Sequence, residues 1–235
     1  MSTDDSLTPE QRKHKERFIE KRGFWSNGMS EMLQLDPAFI GDYADYAAHP
    51  GEVLDAKTKE FIHVAIDAVT THLHDVGTKG HMGNAFEAGA TVEELTDVLE
   101  LTTVAGLYPS LQAGARLLKE VDGAPEGADD SRVETVKAEF ESTFGYWPAE
   151  WDDMVAEDPE HFGYLLTLLQ HSWEDGALDP KTRELVSLAT TITSTQVYSP
   201  GARVHLQGAL HHGASRAEVM AAIQSVWPVK FPGDV

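Results

Sequence analysis

Two histidines, His81 and His205, occupy matching positions in a sequence that is written twice, and each follows a glutamate, Glu60 or Glu184, by 21 residues. An imidazole beside a carboxylate is a general acid–base unit. The carboxylate fixes the tautomer of the ring, and burial can move its titration across neutrality. Small residues one turn after each histidine (Ala85; Gly208 and Ala209) let another helix approach closely, which would leave the ring at a packed interface. The competing reading is a core histidine that only caps or hydrogen-bonds. For the glutamates it is a surface ion pair with Lys57 or Lys181. Lys79 and Arg203 precede the two histidines by two residues. A cation there could bind a substrate carboxylate or be a solvated charge.

His72, His74, His211 and His212 also carry ligand chemistry, but their spacing does not match a metal motif. On a helix, neighbours one or two residues apart diverge, and no His-x-x-x-His accompanies them. No metal site is expected. Trp25, Tyr146 and Trp147 read as packing anchors.

These residues are set in an internal repeat. Residues 54–60 read LDAKTKE and residues 178–184 read LDPKTRE. The match continues without a gap through Gly77 and Gly201, the two histidines, Gly89 and Gly213, and Glu94 and Glu218. Upstream, Phe18, Gly23, Phe24 and Trp25 correspond to Phe140, Gly145, Tyr146 and Trp147. The expected organisation is one copy over 16–120, a linker over 121–137 centred on the Gly-, Pro- and Asp-rich DGAPEGADDS, and a second copy over 138–235.

Each copy is helical by pattern. Asp55 and Asp179 are N-cap candidates, with Pro180 at a first helical position. Gly77 and Gly201 are expected to break the runs that follow. A helix around each key histidine ends at Gly89 or Gly213. Thr91-x-x-Glu94 and Ser215-x-x-Glu218 then form capping boxes. A further helix around SLQAGARLLKEV closes the first copy, and TTITSTQVY is the one segment whose β-branched residues also suit a strand.

Composition narrows the function classes. The 235 residues contain no cysteine, which excludes disulfides, thiol redox chemistry and Cys-ligated metal sites. A formal net charge of −21 repels phosphate backbones, so nucleic acid is not an expected partner. No apolar run is long enough to span a membrane, and the charged N-terminus lacks a secretory core, so the expected location is cytoplasmic.

The LD-x-K-T-[KR]-E signature, the histidine eight residues before the Gly of EAGAT or HHGAS, and the following E-E-L or A-E-V helix resemble the carboxymuconolactone decarboxylase family. The resemblance covers most of the chain. It implies an all-α protein of two fused alkylhydroperoxidase D-like domains forming a pseudo-dimer, assembled as a homo-oligomer such as a trimer of fused pairs. Redox-active relatives carry Cys-x-x-Cys-x-x-x-His; here His74 and Gly77, and Tyr198 and Gly201, stand at the cysteine places. The thiol-free branch is therefore implied. The interval from glutamate to histidine is slightly longer than is usual in the family. The resemblance further implies a cofactor-independent lyase or isomerase acting on a small carboxylated lactone or related aromatic-catabolic acid. In that reading His81 and His205 are acid–base groups, Glu60 and Glu184 orient them, Lys79 and Arg203 bind anions, and His74 and Tyr198 are pocket donors. The alternatives are a non-catalytic binding or assembly protein of the same fold and, further off, a thiol-independent peroxide-related enzyme.

Overall fold

A computed structural model describes residues 6–125, 130–193 and 198–226, and among these every regular element is helical. The first copy contains α1 (Pro9–Arg22), α2 (Asn27–Leu35), α3 (Pro37–Ala48), α4 (Ala56–Ala68), α5 (Asp75–Glu87) and α6 (Val92–Asp122). The second contains α7 (Asp130–Phe144), α8 (Asp152–Glu157), α9 (Pro159–Glu174), α10 (Pro180–Thr191), α11 (Ser199–His211) and α12 (Arg216–Gln224).

The repeated signature starts the central helix of each copy. Asp55 accepts a hydrogen bond from the Thr58 amide at 2.9 Å, and Asp179 one from the Thr182 amide at 3.1 Å. Both caps satisfy orphan amides of the first turn. Beyond the caps, α4 buries Phe61, Ile62, Val64, Ala65 and Ile66, while α10 buries Leu185, Val186, Leu188 and Ala189. A helix apolar on several sides belongs inside a bundle. Accordingly α4 and α10 pack against each other, and their side chains share one core that joins the two copies. Two flanking aromatic cores complete the molecule, one around Phe18 in the first copy and one around Phe140, Trp151 and Phe162 in the second.

Each repeated lysine reaches across to the repeated capping-box glutamate rather than to the glutamate of its own helix. Lys57 meets Glu94 at 2.6 Å, and Lys181 meets Glu218 at 2.8 Å. This leaves Glu60 and Glu184 for other partners. A buried ion pair also crosses between copies. Arg183 Nη2 lies 3.3 Å from Asp97 Oδ2, which accepts the Leu178 amide at 2.9 Å as well.

Three sequence expectations are corrected. Gly77 and Gly201 do not break helices; they lie in the first turns of α5 and α11. The break after α4 is a tight loop over residues 69–74. The stretch expected to hold two helices after Thr91 is one 31-residue helix, α6, which continues through Pro109. Finally, α7 begins at Asp130, inside the segment whose composition reads as linker, because SRVETVKAEF has a helical pattern that the acidic run before it obscures. Of the TTITSTQVY segment, residues 194–197 lie outside the described residues, and Thr190 and Thr191 are helical. No described helix is long and apolar enough to cross a membrane.

Candidate functional site

In the first copy α4 and α5 bring Glu60 and His81 together, buried, with His81 Nδ1 at 2.6 Å from Glu60 Oε2. A carboxylate accepts, so Nδ1 carries the proton and donates it. Asn84, one turn further along α5, adds a donor to the same oxygen at 3.4 Å. Glu60 also faces Lys59 at 3.4 Å. Burial pushes the Glu60 carboxyl up, but the His81 hydrogen bond and charge, with Lys59 and Arg22, outweigh it and hold the group below its usual range. The loop at 69–74 turns α5 back along α4 and leaves Glu60 and His81 in contact.

His81 is sandwiched. His63 stacks on it with ring centroids 4.6 Å apart, and Phe24 meets it edge-on at 5.3 Å. His63 is buried, and desolvation depresses its titration well below the ordinary histidine value, with the Arg22, His81 and Lys59 charges acting in the same sense. Beside these rings is a cavity of about 180 Å³. Phe24, Trp25, Met29, Tyr43 and Ile66 supply its apolar wall, while Arg22, His63, Asp67, His74 and His81 supply its polar one. That is small beside a drug-sized site and suits a compact ligand with one or two charged groups.

Sequence reasoning missed Arg22. It is the last residue of α1, only 5% exposed, and its Nη1 has no hydrogen-bond partner among the described residues. Arg22 lines the cavity, and a buried guanidinium in a cavity wall is a group able to pair with an anion. Burial lowers its basicity, while Glu60 and Tyr43 support its charge. The signal available in the sequence was weak: Arg22 precedes the repeated Gly23 by one residue, yet the second copy has Phe144 at that place.

Lys79 does not reach the cavity. It is exposed on α5, because side chains two positions apart on a helix point away from each other. Arg203 is likewise exposed; it pairs with Glu150 at 3.3 Å and borders an open surface groove of about 740 Å³ with Tyr198. His74 does line the cavity and is buried, 3.7 Å from Asp67. His211 and His212 diverge at the end of α11, one toward Tyr146 and the other toward Trp173.

The second copy keeps the dyad and fills the space around it. His205 Nδ1 lies 2.8 Å from Glu184 Oε2, and Tyr146 donates to Glu184 Oε1 at 3.1 Å. With Nδ1–H committed to Glu184, His205 Nε2 accepts from the Tyr108 hydroxyl at 2.7 Å. Tyr108 is fully buried, and desolvation with the Glu184 and Tyr198 charges pushes its ionisation far up, so it remains a donor. Sequence reasoning missed this residue as well, because it comes from α6 of the other copy. Tyr198 donates instead to Gln112 at 2.5 Å. Where the first copy has Arg22, His63, Asp67 and His74, the second has Phe144, Ser187, Thr191 and Tyr198. The space left beside His205 is about 40 Å³, edged by Phe144, Tyr146, Trp151 and Trp173.

The carboxymuconolactone decarboxylase family profile matches residues 37–120 and 159–232. The crystal structure of a protein assigned as a γ-carboxymuconolactone decarboxylase subunit, from Burkholderia xenovorans LB400, is similar to this chain throughout, with a TM-score of 0.85 and 32% identity. The similarity covers 94% of this chain and 91% of that one. Among curated proteins no sequence matches.

Proposed function

The chain belongs to the carboxymuconolactone decarboxylase family, and we propose that its first copy is a lyase site for a small carboxylated lactone or related acid, worked by His81. The observation that carries this reading is the Glu60–His81 pair at 2.6 Å in the wall of a cavity that Arg22 also lines.

The chemistry follows from these positions. Breaking the bond from an unsaturated lactone carbon to its carboxylate releases CO₂ and leaves the electron pair on carbon. The pair delocalises through the ring double bond onto the lactone carbonyl oxygen, and one proton must then be delivered to carbon. Glu60 holds His81 through Nδ1, so Nε2 is the atom that carries and delivers that proton. Arg22 anchors a carboxylate that the substrate retains and lends positive potential to the developing oxyanion in a site largely screened from water. The apolar wall of Phe24, Trp25 and Tyr43 favours the neutral CO₂ over the carboxylate it replaces. His74 is a further donor from the cavity wall.

In the second copy Glu184 and His205 act as structure, their ring nitrogen occupied by Tyr108. Arg203 then serves surface pairing, and Lys79 is a solvated charge. Self-association is supported by the exposed Leu107, Leu111, Leu117, Leu118 and Val121 of α6. The test is CO₂ release from γ-carboxymuconolactone and from analogues lacking one carboxylate. Turnover that disappears in His81→Ala supports the reading; no turnover of any carboxylated lactone by the wild-type protein overturns it.

A further inference from the structure

A second constellation adjoins the cavity: Asp67 and His74 line it, and His72 meets Asp67 from outside that lining. Asp67, at the end of α4, is buried and faces three imidazoles. Its Oδ1 lies 3.5 Å from His72 Nε2, and its Oδ2 lies 3.7 Å from His74 Nδ1 and 4.0 Å from His81 Nε2. These separations are longer than good hydrogen bonds. One ligand atom from each of Asp67, His72 and His74 lies within 4.8 Å of the other two; bonds of about 2.0–2.1 Å at a tetrahedral angle place donor atoms about 3.3 Å apart, so an ion would draw the three inward. We propose that Asp67, His72 and His74 bind a divalent transition-metal ion of the Zn²⁺ or Co²⁺ type, with open positions toward the cavity.

The local chain is shaped around this cluster. His72 and His74 would diverge on a helix, but the chain leaves helical geometry at Val69 and returns the His74 amide to the Asp67 carbonyl at 2.8 Å. Between the two histidines, Leu73 takes φ 48°, a left-handed conformation unfavourable for a branched side chain, and is left 64% exposed. Both imidazoles are thereby brought to one carboxylate. Gly77 is required by the same cluster, since a Cβ there would overlap the Asp67 carboxylate and His74 Nδ1. Two imidazoles and one carboxylate suit borderline divalent ions and leave coordination sites for a ligand.

A neighbouring group, Glu60, His63 and His81, also has its ligand atoms within 4.8 Å of one another. Its shortest contact, 2.6 Å, is a hydrogen-bond length and too short for two donors around one ion, so the ion is assigned to Asp67, His72 and His74. The second copy has Thr191, Gln196 and Tyr198 at the equivalent sequence positions, so one ion per chain is expected.

The experiment is equilibrium dialysis of chelator-stripped full-length protein against Co²⁺, with metal content and visible absorption as readouts. The proposal expects one Co²⁺ per chain with visible bands, at least tenfold weaker binding in Asp67→Asn and in His72→Gln, and retained binding in His81→Ala. His72→Gln decides if Asp67→Asn fails to fold. Absence of stoichiometric binding at millimolar Co²⁺ overturns the proposal. So does binding that survives both substitutions, which would place the ion on others of the 11 histidines. Because the readout is the metal itself, the outcome is independent of turnover. Lactone turnover by a chain that takes up no Co²⁺ would overturn the ion site and leave the lyase reading standing.

Discussion

Replacing Arg22 by methionine separates a binding role from a structural one, because the two make opposite demands. The guanidinium is 5% exposed, and its Nη1 has no hydrogen-bond partner among the described residues. In the free protein it is a desolvated charge whose main electrostatic compensation is Glu60, which itself retains His81 at 2.6 Å and Lys59 at 3.4 Å. Methionine keeps the apolar stem packed and removes the cost of burying the cation. Against that gain stands about 0.3–1 kcal/mol from the lost cation in the last turn of α1. Unfolding free energy should therefore stay within about 1 kcal/mol of wild type or rise. Ligand binding should respond far more strongly. Losing one partner of a desolvated charge pair costs about 2–5 kcal/mol, or about 30-fold to several thousand-fold in Kd. The assay pairs urea unfolding with calorimetric titration of a non-reactive saturated lactone carboxylate. A variant that unfolds several kcal/mol more easily yet binds the carboxylate within about threefold of wild type would refute the reasoning. Arg22 would then be a structural partner of Glu60.

The difference between the two dyads is equally testable. His81→Ala should abolish turnover, whereas His205→Ala should keep at least half of kcat/KM; equal losses would mean that both copies work. Asp97→Ala should destabilise the chain by about 3–5 kcal/mol by stranding the buried Arg183, and Asp97→Ala with Arg183→Met should recover most of the loss in denaturant melts. His63 has a folded pKa depressed below its unfolded value of about 6.5. The stability it contributes is therefore complete above that pH and declines on acidification, by up to about 1.4 kcal/mol per pH unit. Unfolding free energies of His63→Leu at pH 7.0, 6.0 and 5.0 should accordingly fall less steeply than those of wild type.

The fold was legible because its signals are local. Asp55, Asp179, Thr91 and Ser215 cap helices through their own neighbours, and Gly89 and Gly213 turn left-handed at φ 88°, as their positions imply. The pairing of Glu60 with His81 was only half visible: the duplicated spacing pointed to it, while an interval longer than is usual in the family pointed away. The rest of the cavity was not visible, because its members come from separate elements and only one copy keeps them. Arg22 arrives from α1 and Tyr43 from α3. Lys79 was singled out by proximity along the chain, but on a helix proximity of two residues means opposite faces. Gly77 and Gly201 looked like helix breakers, but they are sites of close approach. Asp67 and His74 crowd the first, and Tyr198 with Tyr108 crowds the second. Residue type alone does not distinguish a glycine needed for its backbone freedom from one needed for its missing side chain.

Tyr108 belongs to one half of the chain and stoppers the histidine of the other. In a dimer of identical subunits, a mutation creating such a stopper would be made twice and would silence every site. Joining the halves in one polypeptide lets it be made once. The second half can then carry aromatic rings beside its histidine while its sibling keeps charged groups beside the other.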